Sequence, residues 1–207
     1  MNKYYLILFL VASMNYYLTA QFDRYGESMH RCTLSLNNGE ELIGLARFNL
    51  IQKTKIRFRK SAEAPEMKYA LADVTGLQLD SARFKTFAGL TLMDPTGRPS
   101  PVKNVLGKLV HDGSGKVYEI HYGYYNPIAM TNGMTVNLLV ESGAEARRVI
   151  PLLQRVRKKK FEKIKSEILA YLEKRELNCL RDLVRETVRE DGFYGLLDNL
   201  STCQGKD

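Results

Sequence analysis

The hydrophobic repeat of this chain changes period once, near Pro151, and that change governs what the chain can fold into. Before it, apolar residues recur at every second position in short runs, as in Cys32, Leu34 and Leu36, or Ile56 and Phe58. After it, Phe161, Ile164, Ile168 and Leu172 recur three and four apart. A period of two is that of a strand with one buried face, and steps of three and four are those of a helix with one buried stripe. Strands first and helices last is an α+β order, not the βαβ alternation of a parallel sheet. A helix starting at Ser142, with Glu145 completing a capping box, is the competing reading around the change. It would carry Pro151 inside it, at a cost of about 3 kcal/mol or more. Residues 134–140 and 146–150 therefore read as a hairpin turned at Ser142-Gly143-Ala144, and the helix starts after Pro151.

The strand-rich part divides in two. Residues 31–36, 41–48, 54–59, 68–71 and 74–79 form five short runs with a turn signal about every ten residues, the signature of a small antiparallel barrel or curled sheet. Asn38-Gly39 is the strongest of these signals, since both residues tolerate the positive φ of a tight hairpin. Residues 36–44, with a strand, a Gly turn and a second Gly-bent strand, resemble the opening of an Sm-like or SH3-like barrel. A second set begins at Arg83 and holds Phe84, Phe87, Leu90 and Leu92. A turn cluster at 94–99, a strand at 102–110, a loop at Asp112-Gly113-Ser114-Gly115 and a strand at 116–122 follow. Beyond the change of period, one amphipathic helix runs to about Lys174. Leu180, Leu183, Val184 and Val188 mark a second, Asp191-Gly192 breaks it, and 193–200 has room for a last turn or two. The expected architecture is α+β: an antiparallel small barrel or curled sheet over 21–150 and a C-terminal helical tail over 151–203.

The first twenty residues read as an export signal. Lys3 is the only charge before Asp23, residues 4–14 are an apolar run, and Leu18-Thr19-Ala20 ends in a small residue before Gln21. A basic tip, a short apolar stretch and a small-residue exit are the secretory pattern. The alternative is an uncleaved anchor, but a span needs about 20 predominantly apolar residues and Asn15 and Thr19 interrupt this run early. The mature chain of about 187 residues out of 207 has no second apolar run long enough to cross a bilayer. It is expected in the periplasm, at the outer membrane or outside the cell. Export permits disulfides. With three Cys, one is left over. Either Cys179 and Cys203 bridge, or all three thiols stay reduced and serve as small hydrophobes.

Chemistry-bearing patterns are sparse. His30, His111 and His121 stand at no metal-ligand spacing, and the Cys form no Cys-x-x-Cys pair. No cofactor is expected. His111, Asp112 and Ser114 hold the residue types of a hydrolytic triad, yet neighbours on a hairpin point apart, so they read as turn chemistry. Gly113-Ser114-Gly115-Lys116 lacks the full frame and following helix of a phosphate loop. Charge is more informative. Residues 145–174 hold ten Lys or Arg against four Glu, a balance of +6 out of a formal +8 for the whole chain. Its centre is the run Arg155, Arg157, Lys158, Lys159 and Lys160. Such a run attracts anionic lipid or glycan, or else is a solvated helix face. Export takes nucleic acid out of reach. Tyr122, Tyr124 and Tyr125 form an aromatic-rich segment suited either to gripping a partner protein or to packing under the helices. The helix stripe needs an apolar partner, either the sheet or a second copy of the chain.

Several of these elements together resemble uncharacterised exported proteins of the Bacteroidetes type. The motifs are the signal ending Thr19-Ala20-Gln21, the opening from Asn38 to Gly44, the strand Ile56-Arg57-Phe58, and Tyr69 followed by Asp73-Val74-Thr75-Gly76. A hairpin from Leu109-Val110 to Tyr118 and the Lys-rich helix with its Cys-containing tail complete the set. The resemblance covers most of the mature chain, departs in the longer insertion 94–101, and implies location and build without an active site. The function expected is that of a non-enzymatic envelope protein binding another protein or an anionic envelope component. A hydrolase or other enzyme with a site assembled from dispersed residues is the alternative.

Overall fold

A computed structural model describes residues 25, 28–50, 55–94, 97–126, 131–143, 146–152, 156–189 and 192–203. The export signal and Arg155 lie outside these residues. The described strands are β1 (His30–Leu36), β2 (Glu41–Arg47), β3 (Lys55–Arg59), β4 (Met67–Ala70), β5 (Val74–Leu79), β6 (Arg83–Met93), β7 (Pro99–Asp112), β8 (Lys116–Asn126), β9 (Thr131–Ser142) and β10 (Ala146–Pro151). The helices are α1 (Lys158–Lys174), α2 (Asn178–Glu186) and α3 (Gly195–Asn199). The α+β class and the helical tail match the order read from the sequence. Helix α1 starts six residues later than Leu152, because β10 runs on through Pro151 at an edge of the sheet, where a missing N–H costs no ladder bond.

All strands belong to one antiparallel sheet in the order β10-β9-β8-β7-β6-β5-β1-β2-β3-β4. Among the described residues, the one crossover is the return from edge strand β4 through a 3-10 turn (Leu71–Asp73) to β5, which pairs with β1. The order β5-β1-β2-β3-β4 makes the first half of the sheet a curled antiparallel unit. The hairpin closes at Gly39, whose φ of +86° suits glycine, with Leu36 N–H donating to Glu40 O at 2.9 Å. Inward residues of β1–β5 alternate as expected and form one core of Leu34, Ala46, Ile56, Phe58, Leu77 and their neighbours.

The second half of the sheet curls on itself. Asn137 of β9, wholly buried, accepts from Met93 N–H at 3.0 Å and donates to Met93 O at 3.1 Å on β6. Lys85 of β6 and Arg147 of β10 both bind Glu141 of β9, at 2.7 and 3.2 Å. Side chains thus bridge β6 to β9 and β10, whose backbones do not pair with it. Phe87, Leu92, Tyr118, Ile120 and Leu139 fill the inside of this curl.

Strand β9 is buried on both faces. Leu139 points into the curl, and Val136, Leu138 and Val140 point out, under the helices. Phe161, Ile164, Ile168 and Leu172 of α1 cover that outer face together with Leu180, Val184 and Phe193. Burying each of these aliphatic or aromatic side chains contributes about 2 kcal/mol. A helix of this length is marginal alone, so the stripe is what holds it. The partner surface of α1 is therefore the sheet. At its end Glu176 takes φ +57°. Leu177 N–H then donates to Leu172 O and Glu176 N–H to Glu173 O, both at 3.0 Å, the paired bonds of a Schellman turn. Leu177 packs against Gly115 of the β7–β8 hairpin, where a Cβ would come within 2.8 Å of it.

Candidate functional site

The basic run lies where the helix starts. With Phe161 and Ile164 facing the sheet, Arg157, Lys158, Lys159 and Lys160 are all exposed. No side chain caps this end and its first turn holds no acidic residue. The first N–H groups of a helix are unbonded and carry the positive end of its dipole. Cations there are unfavourable by about 0.3–1 kcal/mol each, less than one buried stripe residue contributes. Farther along α1, Glu167 and Lys165 are engaged internally. Arg148 of β10 pairs with Glu167 at 2.8 Å. Lys165 donates to the carbonyls of Arg185 and Thr187 at 2.7 and 2.6 Å, satisfying the end of α2. Among the described residues, Lys158, Lys159 and Lys163 form no ion pair.

Tyr122 is half-buried. It packs against the core of the second curl, and its hydroxyl donates to Ser100 Oγ at 2.6 Å. That hydrogen bond ties β8 to β7. Tyr124 and Tyr125 pair through their backbones with Gly133 and Asn132, and their side chains lie outside the described residues.

Alternation along β8 leads one to expect an exposed His121. It is 4% exposed, because the face of β8 shared by Val117, Glu119 and His121 turns toward the helical layer. His121 Nε2 lies 2.9 Å from Glu119 Oε1. Burial opposes ionisation of Glu119, but the hydrogen bond from His121 and the charges of His121 and Lys108 outweigh it and hold the carboxyl below its usual range. His111 is also buried, its ring nitrogens without hydrogen-bond partners among the described residues, with Gly113 closed over Nε2. Asp112 turns away from it to Arg83 at 2.6 Å and Lys116 at 3.5 Å, and Ser114 is exposed. The three do not assemble into a triad. His111 and Asp112 do border an open cleft of about 360 Å³ against Gln78, Asp80, Ser81 and Arg83. His121 borders neither this cleft nor the other described cavity, of about 410 Å³, between α2 and α3. No three His, Cys, Asp or Glu stand together as metal ligands among the described residues.

Cys179 and Cys203 are joined, with Sγ atoms 2.01 Å apart, while Cys32 is a buried free thiol pushed up to about 11 by desolvation. Two charge clusters escaped the sequence reading. Lys85, Glu141 and Arg147 come from three strands and had no local signal. The other, Arg47, Arg57 and Arg59 around Glu66, was half visible in the alternating cations of β3.

Compared with protein-family models, curated proteins and solved structures, the chain finds no significant match. Function therefore rests on the chemistry of its surfaces.

Proposed function

We propose that this is an exported, non-catalytic protein of the cell envelope, of the Bacteroidetes type it resembles, that binds an anionic envelope component through the start of α1. The observation that carries the reading is the uncapped helix end, where exposed Lys158 and Lys159, which form no ion pair among the described residues, add to an already positive dipole. A cation cluster held at a cost to its own helix is available to anions arriving from solution. The Cys179–Cys203 bridge supports the location, since disulfides persist in oxidising compartments.

Sedimentation with vesicles tests the reading. Vesicles containing phosphatidylglycerol should pull the protein down at low salt and release it as salt rises. Lys158→Glu with Lys159→Glu should abolish the effect, and purely zwitterionic vesicles should show none. Equal recovery of parent and variant on anionic vesicles would sink the proposal. Cell fractionation with N-terminal sequencing tests export, with Gln21 expected as the first residue.

A further inference from the structure

The outward face of β1–β4 is a second and separate cationic surface, at the far end of the strand order from the helices. Because Leu34, Ala46, Ile56 and Phe58 point inward, the alternate residues point out. The register sets Arg47 opposite Arg57, and Arg57 opposite Lys68. One row away, Arg31 stands opposite Leu45, and Leu45 opposite Arg59. Together with Lys55, six cations share the face with Glu41 and Glu66 as its anions. Like charges directly opposite on adjacent strands repel.

Glu66 shows what relieves this. Arriving from the loop before β4, its carboxylate accepts from Arg47 at 3.0 Å and Arg57 at 3.2 Å, with Arg59 at 3.9 Å. Three guanidinium groups, five donors each, converge on two oxygens. Arg47 Nε and Arg59 Nε are buried without a hydrogen-bond partner among the described residues, so it is the outer guanidinium nitrogens that face solution. The side chains remain 33–41% exposed, so solvent and solutes reach them. Glu66 is thus an internal ligand that neutralises part of a site built for several carboxylates, and planar guanidinium forks match that group in pairs.

We infer that this face docks an acidic polypeptide segment of a partner protein, whose Asp or Glu side chains extend the arrangement begun by Glu66 across Arg57, Arg59, Lys68 and Arg31. The inference is independent of the anion site proposed at α1.

Fluorescence anisotropy of a labelled poly-glutamate peptide against the full-length protein tests it. The parent should bind in a salt-sensitive manner. Arg57→Gln with Arg59→Gln should weaken binding by about tenfold or more, the loss of at least one charge-assisted pair. Glu66→Gln should tighten it by about threefold, since a built-in competitor is removed. Lys158→Glu with Lys159→Glu should weaken it far less than the arginine variant does. Should the double arginine variant fold poorly, Lys68→Glu, on an exposed edge position, must weaken binding by itself. The inference is overturned by unaltered affinity in the arginine variant or in Lys68→Glu, or by an equal loss in the α1 variant. Polyphosphate or anionic vesicles displacing the peptide at matched charge would also overturn it.

Discussion

Glu176 is held in the left-handed region, which costs an L-residue roughly 1–2 kcal/mol relative to its preferred wells. The turn it makes is used twice, ending α1 and seating Leu177 under the β7–β8 hairpin. Glu176→Gly should therefore stabilise the protein by about 1 kcal/mol, seen as a higher urea midpoint with an unchanged slope. Glu119 makes a different prediction. Its folded carboxyl titrates below its unfolded value of about 4.3. The stability it contributes is present above that value and disappears as pH falls through the lower, folded one. A pH series of denaturation midpoints should show a flatter acid limb in Glu119→Gln than in the parent, and parallel limbs would refute the pairing with His121.

At the scale of elements, α2 and the terminal turn are held by a covalent link as well as by packing. Cys179 and Cys203 are 24 residues apart in sequence, and opening a loop of that size returns conformational entropy to the unfolded chain, removing about 3 kcal/mol of stabilisation. Dithiothreitol should lower the melting temperature, and hydrogen exchange should accelerate first in α3 and the 3-10 turn Leu200–Cys203. The sheet should keep its protection, because Val136, Leu138 and Val140 remain covered by α1. Exchange that accelerates uniformly along the chain would show that the helices and sheet unfold as one unit.

For the molecule as a whole, the two halves of the sheet are secured differently. The first half is tied by the β1–β5 ladder. The second is tied by side chains, above all by Asn137 reaching both backbone groups of Met93. Asn137→Ala leaves the part-buried N–H and C=O of Met93 unsatisfied, so it should cost about 1–3 kcal/mol. A loss below about 0.5 kcal/mol, the scale of an ordinary surface change, would mean that the curl does not depend on this bond.

The residue order alone determined the element types, since a period of two or of three to four is a local property that any chain with those side chains must satisfy. It also placed the Asn38-Gly39 turn, because the positive φ there is a demand on one residue. The basic start of α1 was legible for the same reason: its charges are adjacent in sequence. What lay beyond a local reading was decided by pairing over distance. Strand β8 is covered on both faces, so alternation could not say that His121 would be buried. Glu141 meets a lysine 56 positions away, and Glu66 gathers three arginines from β2 and β3. Such contacts depend on register and curl, which arise only when β6 folds back toward β9 and β10 and the helices close over the outer face.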